Sequence, residues 1–256
     1  MILKRLSLIV TLTSLIAGCA MPPMSPPPVI GSQASPAQEA NVDALLAQAR
    51  QSMPIRAAEL KLHAAQLLAS RGEQDQAGDI LKDIDTANLP PTLQFNIIKL
   101  QTQQALENND AEKALSYLAY MPSLSALPED DALLSEQLYA DAYGLNGQPL
   151  EEAKILIEGT DYIHDPEKLQ HLHNRIWQAL QATSNAELHN ALQQPNNNYL
   201  LQGWLELALA SRSIADIQTQ TNNIENWLNL WQAHPAAQLM PGNLASPQNI
   251  DLLNVA

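Results

Sequence analysis

Cysteine is almost absent from this sequence, since Cys19 is the only one among 256 residues. The rest of the chain therefore has no disulfide and no thiol chemistry, and it must fold through burial of side chains alone. Aromatic residues make up only 4%, and valine, threonine and tyrosine rarely alternate along the chain, which argues against β-strands. Alanine, leucine and glutamine dominate instead, a composition typical of helical proteins.

Basic residues are also scarce, because 13 lysines and arginines stand against 27 acidic residues and give a formal net charge of -14. Removal of residues 1–18 would take away Lys4 and Arg5 and no acid, so that the charge would move from -14 to -16. We therefore expect no nucleic-acid partner and no electrostatic attraction to an anionic membrane surface. A basic patch on a protein partner would suit this charge, although acidity alone usually means only solubility.

The apolar run of residues 6–17 follows the basic start of the chain. Its 12 residues suit the core of a signal peptide, whereas a membrane-spanning helix needs about 20 residues. The run ends in Leu15-Ile16-Ala17-Gly18-Cys19, which has the form of a bacterial lipobox. We predict cleavage between Gly18 and Cys19, a diacylglycerol thioether on the thiol, and an acyl chain such as palmitate on the new α-amine. The alternative is an ordinary secretory signal with an incidental cysteine.

Four segments follow from the composition. Residues 1–18 are the predicted signal peptide, and residues 19–40 form a lipidated, proline-rich tether that cannot build a core. Residues 41–236 have helical periodicity, and residues 237–256 have the composition of a linker. Ala20, directly after the cysteine, is not aspartate, and by resemblance to bacterial lipoproteins this favours the periplasmic side of the outer membrane.

Helix start signals agree with the apolar periods of residues 41–236. Ser184-Asn185-Ala186-Glu187 fits a capping box. Asp165-Pro166 and Gln148-Pro149 fit helix N-termini with proline at the first helical position. No segment offers a run of alternating β-branched residues, so the sequence predicts an all-α fold.

The helices repeat. Ala77, Ala114 and Ala153 each follow a tight polar turn and precede a pair of apolar residues at the same offset, with periods of 37 and 39 residues. A tetratricopeptide repeat runs about 34 residues and places a small residue where its second helix crosses the first. The sequence therefore predicts a right-handed solenoid of about four to five tetratricopeptide-like helical hairpins, although the repeats lack most of the aromatic signature.

The residues offer little chemistry. His164, His171 and His173 form the only suggestive ionisable group, but His171 and His173 would point about 200° apart on a helix, so we predict no metal site. No phosphate loop, nucleophile elbow or zinc spacing is present, and we predict no cofactor and no enzymatic activity. Soluble lytic transglycosylases also use an α-superhelix, but they need a separate catalytic domain that nothing here resembles.

Four tyrosines fall on the two middle hairpins. Core packing between repeats is the favoured role for most of them, and the lining of a concave groove for binding is the alternative. They are Tyr117, Tyr120, Tyr139 and Tyr143.

A last long helix is expected from about Ser213 to Ala233 and should cap the open end of the core. It runs into Asn226-Trp227-Leu228-Asn229-Leu230-Trp231-Gln232-Ala233-His234-Pro235-Ala236. Together with the lipobox at Cys19, the tether and the helical hairpins, this ending resembles the N-terminal domain of the penicillin-binding protein activator LpoA family, outer-membrane lipoproteins of Gram-negative bacteria. The motifs are loose apart from the lipobox and this helix end.

The resemblance implies a partner and a role. It implies activation of a bifunctional class A penicillin-binding protein, and hence regulation of peptidoglycan synthesis and cell shape. Family members carry a second, α/β domain, so we expect this chain to be the anchoring and scaffold part, whether as a natural truncation or a fragment. The sequence leaves open whether residues 41–236 contact peptidoglycan. The alternative is an adaptor lipoprotein of another envelope machine, either outer-membrane protein assembly or a secretin pilot.

Overall fold

The computed structural model describes residues 36–212, 216–242 and 244. Within these ranges every regular element is helical, with two single-turn 3₁₀ segments, Leu124–Ala126 and Gly159–Tyr162. The α-helices are α1 Pro36–Ala49, α2 Pro54–Ser70, α3 Gln74–Lys82, α4 Pro91–Glu107, α5 Ala111–Leu118, α6 Glu129–Leu145, α7 Pro149–Glu158, α8 Pro166–Ala182, α9 Asn185–Leu192, α10 Tyr199–Ala210, α11 Ile217–Leu230 and α12 Pro235–Gln238. The predicted all-α, tetratricopeptide-like solenoid is confirmed.

Prolines and side-chain caps mark the starts of the helices, as the sequence predicts. Helices α2, α4, α7, α8 and α12 each begin on a proline, whose missing N–H would have no partner in the first turn. The Asp165 side chain accepts hydrogen bonds from the first turn of α8, and Ser184 and Glu187 form the predicted capping box of α9.

The three repeated turns share one backbone device. Gly72, Asn109 and Gly147 all adopt positive φ, at 81°, 56° and 69°. In each turn the residue after the positive-φ position donates its N–H back into the preceding helix, as Glu73 does to the Leu68 carbonyl at 3.0 Å. Glycine takes this left-handed conformation without strain, and asparagine tolerates it better than most residues. The repeat therefore reverses the chain in the same way three times.

The repeated alanines lie where the sequence places them. Ala77, Ala114 and Ala153 are fully buried on α3, α5 and α7, the second helices of their hairpins, and they let α3, α5 and α7 lie close to α2, α4 and α6. The fourth residue of α9 is instead Leu188, which is also fully buried. Helix α9 packs on α10, and α8 packs on α7 and α10, so the regular pairing changes where the small residue is missing.

The buried apolar side chains form three clusters among the described residues. One joins α1 to α4 and includes Leu81 and Ile97. A smaller one joins α4, α5 and α6 and includes Leu118. The largest extends from α6 to α12 and includes Trp177 and Trp204. The structure is thus a row of neighbouring packing units, as expected of a solenoid.

The last long helix differs from its prediction. Helix α11 runs from Ile217 to Leu230, with 14 residues against 17 in α2, and residues 213–215 lie outside the described part. It ends at Leu230, and His234, whose helical conformation is disfavoured by the following Pro235, has an extended backbone and turns its ring back into the core. The exposed side chains of α11 are mostly polar, apart from Ile217 and Leu230 at its two ends. Ile224 and Trp227 lie buried on its inner face, as expected of a terminal cap.

Both ends of the helical region lie outside the boundaries read from the sequence. Helix α1 begins at Pro36, within the range assigned to the tether. Beyond α11, helix α12 packs against the core, and so do Met240 and Leu244, which lie within the range assigned to the linker.

Candidate functional site

The residues predicted to carry the lipid, Gly18 and Cys19, lie outside the described residues. Cleavage and lipidation therefore stay predictions of the sequence. Within the described ranges, no helix is both long enough and apolar enough to cross a membrane.

The three histidines considered as a metal site do not come together. His171 and His164 are exposed, whereas His173 is fully buried on the opposite side of α8 from His171. The opposed directions agree with their spacing on a helix. In the described part of the chain, no three histidine, cysteine or acidic side chains are placed to hold a metal ion.

The middle hairpins contain an apolar groove of about 230 Å³, which we call the tyrosine groove. Tyr139 and Tyr143 stack along α6 with ring centroids 6.4 Å apart and an interplanar angle of 24°. Because burial raises the pKa of Tyr139, with a smaller effect from Tyr143, the hydroxyl stays neutral and donates a hydrogen bond to the Leu118 carbonyl. The walls are completed by residues of the 121–124 segment, α6 and α7. These are Met121, Pro122, Ser123, Leu124, Ser135, Glu136, Ile155 and Glu158.

A second, polar groove of about 280 Å³ lies between α3, α4 and α5. Its wall includes Tyr117 and the amide of Gln104, which donates to the Gln74 carbonyl and side-chain oxygens at 3.3 and 3.0 Å. Lys82, which pairs with Asp79 at 2.9 Å, also lies on this wall. Two pairs of polar groups in this groove therefore bind each other, Gln104 with Gln74 and Lys82 with Asp79.

The tyrosines thus divide between both roles considered from the sequence. Tyr139 packs between hairpins and also lines the tyrosine groove, and Tyr117 does the same in the polar groove. Tyr143 lines the tyrosine groove and stacks on Tyr139. Tyr120 lines neither groove and is 68% exposed. The segment from Met121 to Leu124 was not identified from the sequence, because no periodic pattern marks a wall made by a loop.

The C-terminal end of the described chain is built around one buried histidine. His234 donates from Nε2 to the Leu200 carbonyl at 2.9 Å and accepts from the Ala236 N–H on Nδ1 at 3.1 Å. Since Nδ1 accepts a backbone N–H, the ring is neutral and held in one tautomer. Its centroid lies within 6.0 Å of four aromatic rings. These are the rings of Tyr199, Trp204, Trp227 and Trp231.

A second buried histidine ties the chain end to α8. His173 donates from Nδ1 to the Leu239 carbonyl at 2.8 Å, since a carbonyl only accepts, and its ring packs edge-on against Trp204 at 5.2 Å. Next to it, the Gly242 N–H donates to the Asn174 side chain at 2.7 Å, and Gln170 donates to the Met240 carbonyl at 2.9 Å. Residues 239–242, which the sequence assigned to a linker, are therefore held against α8 by hydrogen bonds.

These two histidines predict a dependence of stability on pH. Burial lowers the pKa of His173 and of His234, and hydrogen bonding to backbone carbonyls only partly offsets it. The unfolded chain thus takes up protons at higher pH than the folded chain, so stability is complete above about pH 6.5 and is lost as the pH falls below it. Urea midpoints measured between about pH 8 and about pH 5.5 should fall progressively.

The controls for this prediction are single histidine variants. His173→Gln and His234→Gln should each flatten the dependence of the urea midpoint on pH, whereas His171→Gln at an exposed position should leave it unchanged. If the urea midpoint of both buried-site variants fell with pH as steeply as that of the parent, groups other than these histidines would cause the loss of stability.

Comparison with known proteins gives consistent matches. The family model of the LppC putative lipoproteins matches residues 35–256. The penicillin-binding protein activator LpoA of Vibrio antiquarius is 32% identical over 116 residues, which cover 44% of this chain and 19% of the relative. The protein of the same name from Photobacterium profundum is 21% identical over 258 residues, which cover 97% of this chain and 40% of the relative. The chain spans less than half the length of these curated relatives.

Solved structures match in fold. The LpoA N-terminal domain from Haemophilus influenzae superposes with a TM-score of 0.55 at 20% identity, over 82% of this chain and 93% of that one. The E. coli LpoA amino-terminal domain also gives a TM-score of 0.55, at 22% identity, over 81% of this chain and 93% of that one. At this identity the likeness establishes the helical fold and its extent.

Proposed function

The chain belongs to the LppC putative lipoprotein family and corresponds to the N-terminal domain of its LpoA members, and from this premise we propose that it acts as a non-enzymatic regulator of peptidoglycan synthesis. In this proposal it supports the activation of a bifunctional class A penicillin-binding protein. The observation that carries the proposal is the family match over residues 35–256, which covers the whole described solenoid.

The fold supports a role in binding. Its helical hairpins present two grooves between neighbouring repeats, and solenoids commonly use such extended surfaces to hold partners. The relatives are named as activators of a penicillin-binding protein, which agrees with such a role. No relative reported above is named as an assembly factor or a secretin pilot, so the activator role is favoured over the adaptor role.

The proposal assigns a place to each segment. Residues 1–18 direct export, Cys19 carries the lipid on the periplasmic side of the outer membrane, and the residues between Cys19 and α1 hold the solenoid away from the membrane surface. A tether of roughly 20 residues reaches up to about 60 Å if extended at 3.1 Å per residue. Helices α1 to α12 form the scaffold, in contact with the synthase and, we propose, with peptidoglycan. Residues 245–256 lead towards a further domain.

The decisive measurement is the rate of a purified class A synthase with and without this protein. We expect the glycosyltransferase or the transpeptidase rate to rise when the chain, alone or extended into the following domain, is added. If neither rate changes with either version, the activator role is wrong. Heat-unfolded chain at the same concentration controls for general effects of added protein.

The anchor has its own test. We expect Cys19→Ala to abolish lipid labelling and to move the protein from the membrane fraction to the soluble fraction, because stable anchoring needs more than one acyl chain and the variant has no thiol to modify. Ser14→Ala, within the apolar run, should leave both unchanged. Membrane association that persists in the Cys19 variant would contradict the anchor.

A further inference from the structure

The tyrosine groove has features that its role in packing does not use. Its volume of about 230 Å³ is below that of typical small-molecule sites, which start at about 300 Å³, so it suits one or two side chains of a peptide. Met121, Pro122, Leu124 and Ile155 give it an apolar floor beside the stacked rings of Tyr139 and Tyr143.

The groove wall contains a buried hydroxyl without a hydrogen bond. Ser135 on α6 is fully buried, and its Oγ has no hydrogen-bond partner among the described residues. An unpaired buried hydroxyl costs free energy, about 1–3 kcal/mol. Because the hydroxyl lies beneath the groove surface, a bound segment would reach it only by displacing the side chains above it.

The groove is also surrounded by negative charge. Glu136 and Glu158 line it and no basic side chain does. Glu158 is exposed and makes no ion pair with any described residue. Residues 129–167 contain eleven acidic residues and one lysine, Lys154, which pairs with Glu151 at 2.7 Å. Arg175 of α8 pairs with two more of these acids, Asp141 at 2.7 Å and Glu152 at 3.0 Å. The acidic groups still outnumber the basic ones, so the potential at this groove is negative.

The negative charge around the tyrosine groove favours some possible ligands over others. A second copy of this chain is itself acidic, and an anionic lipid surface or a nucleic acid carries the same sign, so each of them would be repelled. A lysine or arginine would be attracted by Glu158, and it would also find the ring of Tyr143 for a cation–π contact. Neighbouring apolar side chains would pack against the apolar lining of the groove.

We propose that the tyrosine groove is a docking site for an extended segment of a partner protein in which a lysine or arginine lies next to an apolar residue. The apolar side chain enters between the 121–124 segment and α7, and the cation lies between Tyr143 and Glu158. The site rests on the groove itself and stands whether or not the partner is a synthase.

The test is panning of a random-peptide display library on the purified full chain, followed by measurement of the enriched peptides by fluorescence anisotropy. We expect enrichment of lysine or arginine beside leucine, isoleucine, methionine or phenylalanine. Tyr143→Ala and Glu158→Lys should each weaken binding by about tenfold or more, as substitutions at the centre of an interface do. Tyr143 is chosen because Tyr139 also holds the Leu118 backbone.

Two control variants make the same substitutions as Tyr143→Ala and Glu158→Lys at positions outside the groove. Tyr120→Ala removes an exposed tyrosine outside the groove, and Glu225→Lys makes the same charge change on the exposed face of α11. Both should bind the peptides as the parent does. The proposal fails if no peptide is enriched, if Glu225→Lys weakens binding as much as Glu158→Lys, or if peptides with glutamate in place of the basic residue bind equally. Self-association that Tyr143→Ala abolishes would identify a second copy as the occupant and would also overturn it.

Discussion

Replacing Gly203 with alanine is expected to lower the free energy of unfolding by about 2–3 kcal/mol, although alanine normally stabilises a helix interior by about 1 kcal/mol relative to glycine. Gly203 lies within α10 and faces the His234 ring. A Cβ at this position would stand 2.5 Å from His234 Cδ2 and 2.7 Å from its Nε2. Such distances cannot be accommodated without displacement of the ring.

The His234 ring cannot move aside without breaking contacts. Both of its nitrogens are engaged by backbone groups, and the rings of Trp204 and Trp231 close two of its sides. The Gly203 carbonyl also accepts the Trp227 indole N–H at 2.9 Å, so a shift of α10 would loosen a second contact. The strain therefore spreads into the largest buried cluster, where closely packed side chains resist it.

Gly78→Ala provides the matched control for this prediction. Gly78 also lies within a helix, but a Cβ there would be 3.4 Å from Gln104 Oε1, an ordinary contact. We expect that variant to gain up to about 1 kcal/mol from helix propensity. Urea unfolding followed by circular dichroism measures both. If Gly203→Ala is as stable as Gly78→Ala, the close approach of His234 is wrong. In the double variant with His234→Ala, the effect of Gly203→Ala should largely disappear.

Truncation of Arg212 to alanine should cost about 2–4 kcal/mol. Its guanidinium, at the end of α10, donates to the carbonyls of Leu180 at 2.5 Å, Gln181 at 2.9 Å and Thr183 at 2.7 Å. It donates a fourth hydrogen bond to the Asn185 side chain at 2.8 Å. A cation at the C-terminus of α8 also complements the helix dipole. Without it, carbonyls at the end of α8 lose their donors at a partly buried junction.

Arg212→Lys should recover less than half of this loss, because one ammonium cannot span four acceptors in the geometry of the guanidinium fork. Arg56→Ala is the matched control, since Arg56 is exposed and, among the described residues, pairs only with Glu59 in the next turn at 2.8 Å. We expect it to change stability by less than about 0.5 kcal/mol. Urea midpoints of the three variants test this prediction. An Arg212→Ala midpoint equal to that of Arg56→Ala would show that the hydrogen bonds of Arg212 to the end of α8 do not stabilise the fold.

Much of the architecture could be predicted from the sequence because it is encoded locally. The capping box at Ser184, the proline at position 166 and the alanines of the first three hairpins each depend on residues within one turn or one repeat. The repeat could not be followed further, because Leu188 replaces the small residue in α9 and the packing changes with it.

The features that could not be predicted depend on residues distant in sequence. His234 reads as an ordinary turn residue before a proline, yet it fills a space bounded by α10 and α11. Similarly, the clamp on residues 239–242 joins Gln170 to Met240, 70 positions apart. The tyrosine groove needs a loop wall at Met121 that carries no periodicity. Only the folded backbone brings such groups together.

The division of the core into three clusters has a mechanical consequence. In helix α6, Leu138 and Ala142 belong to the small middle cluster, whereas Ala140 between them belongs to the large C-terminal one. Helix α4 likewise places Ile97 in the first cluster and Ala105 in the middle one. These two helices therefore connect neighbouring clusters, and the middle cluster between them has the fewest buried side chains of the three. A load applied at either end would be transmitted through α4 and α6, and we expect bending to concentrate at the middle cluster.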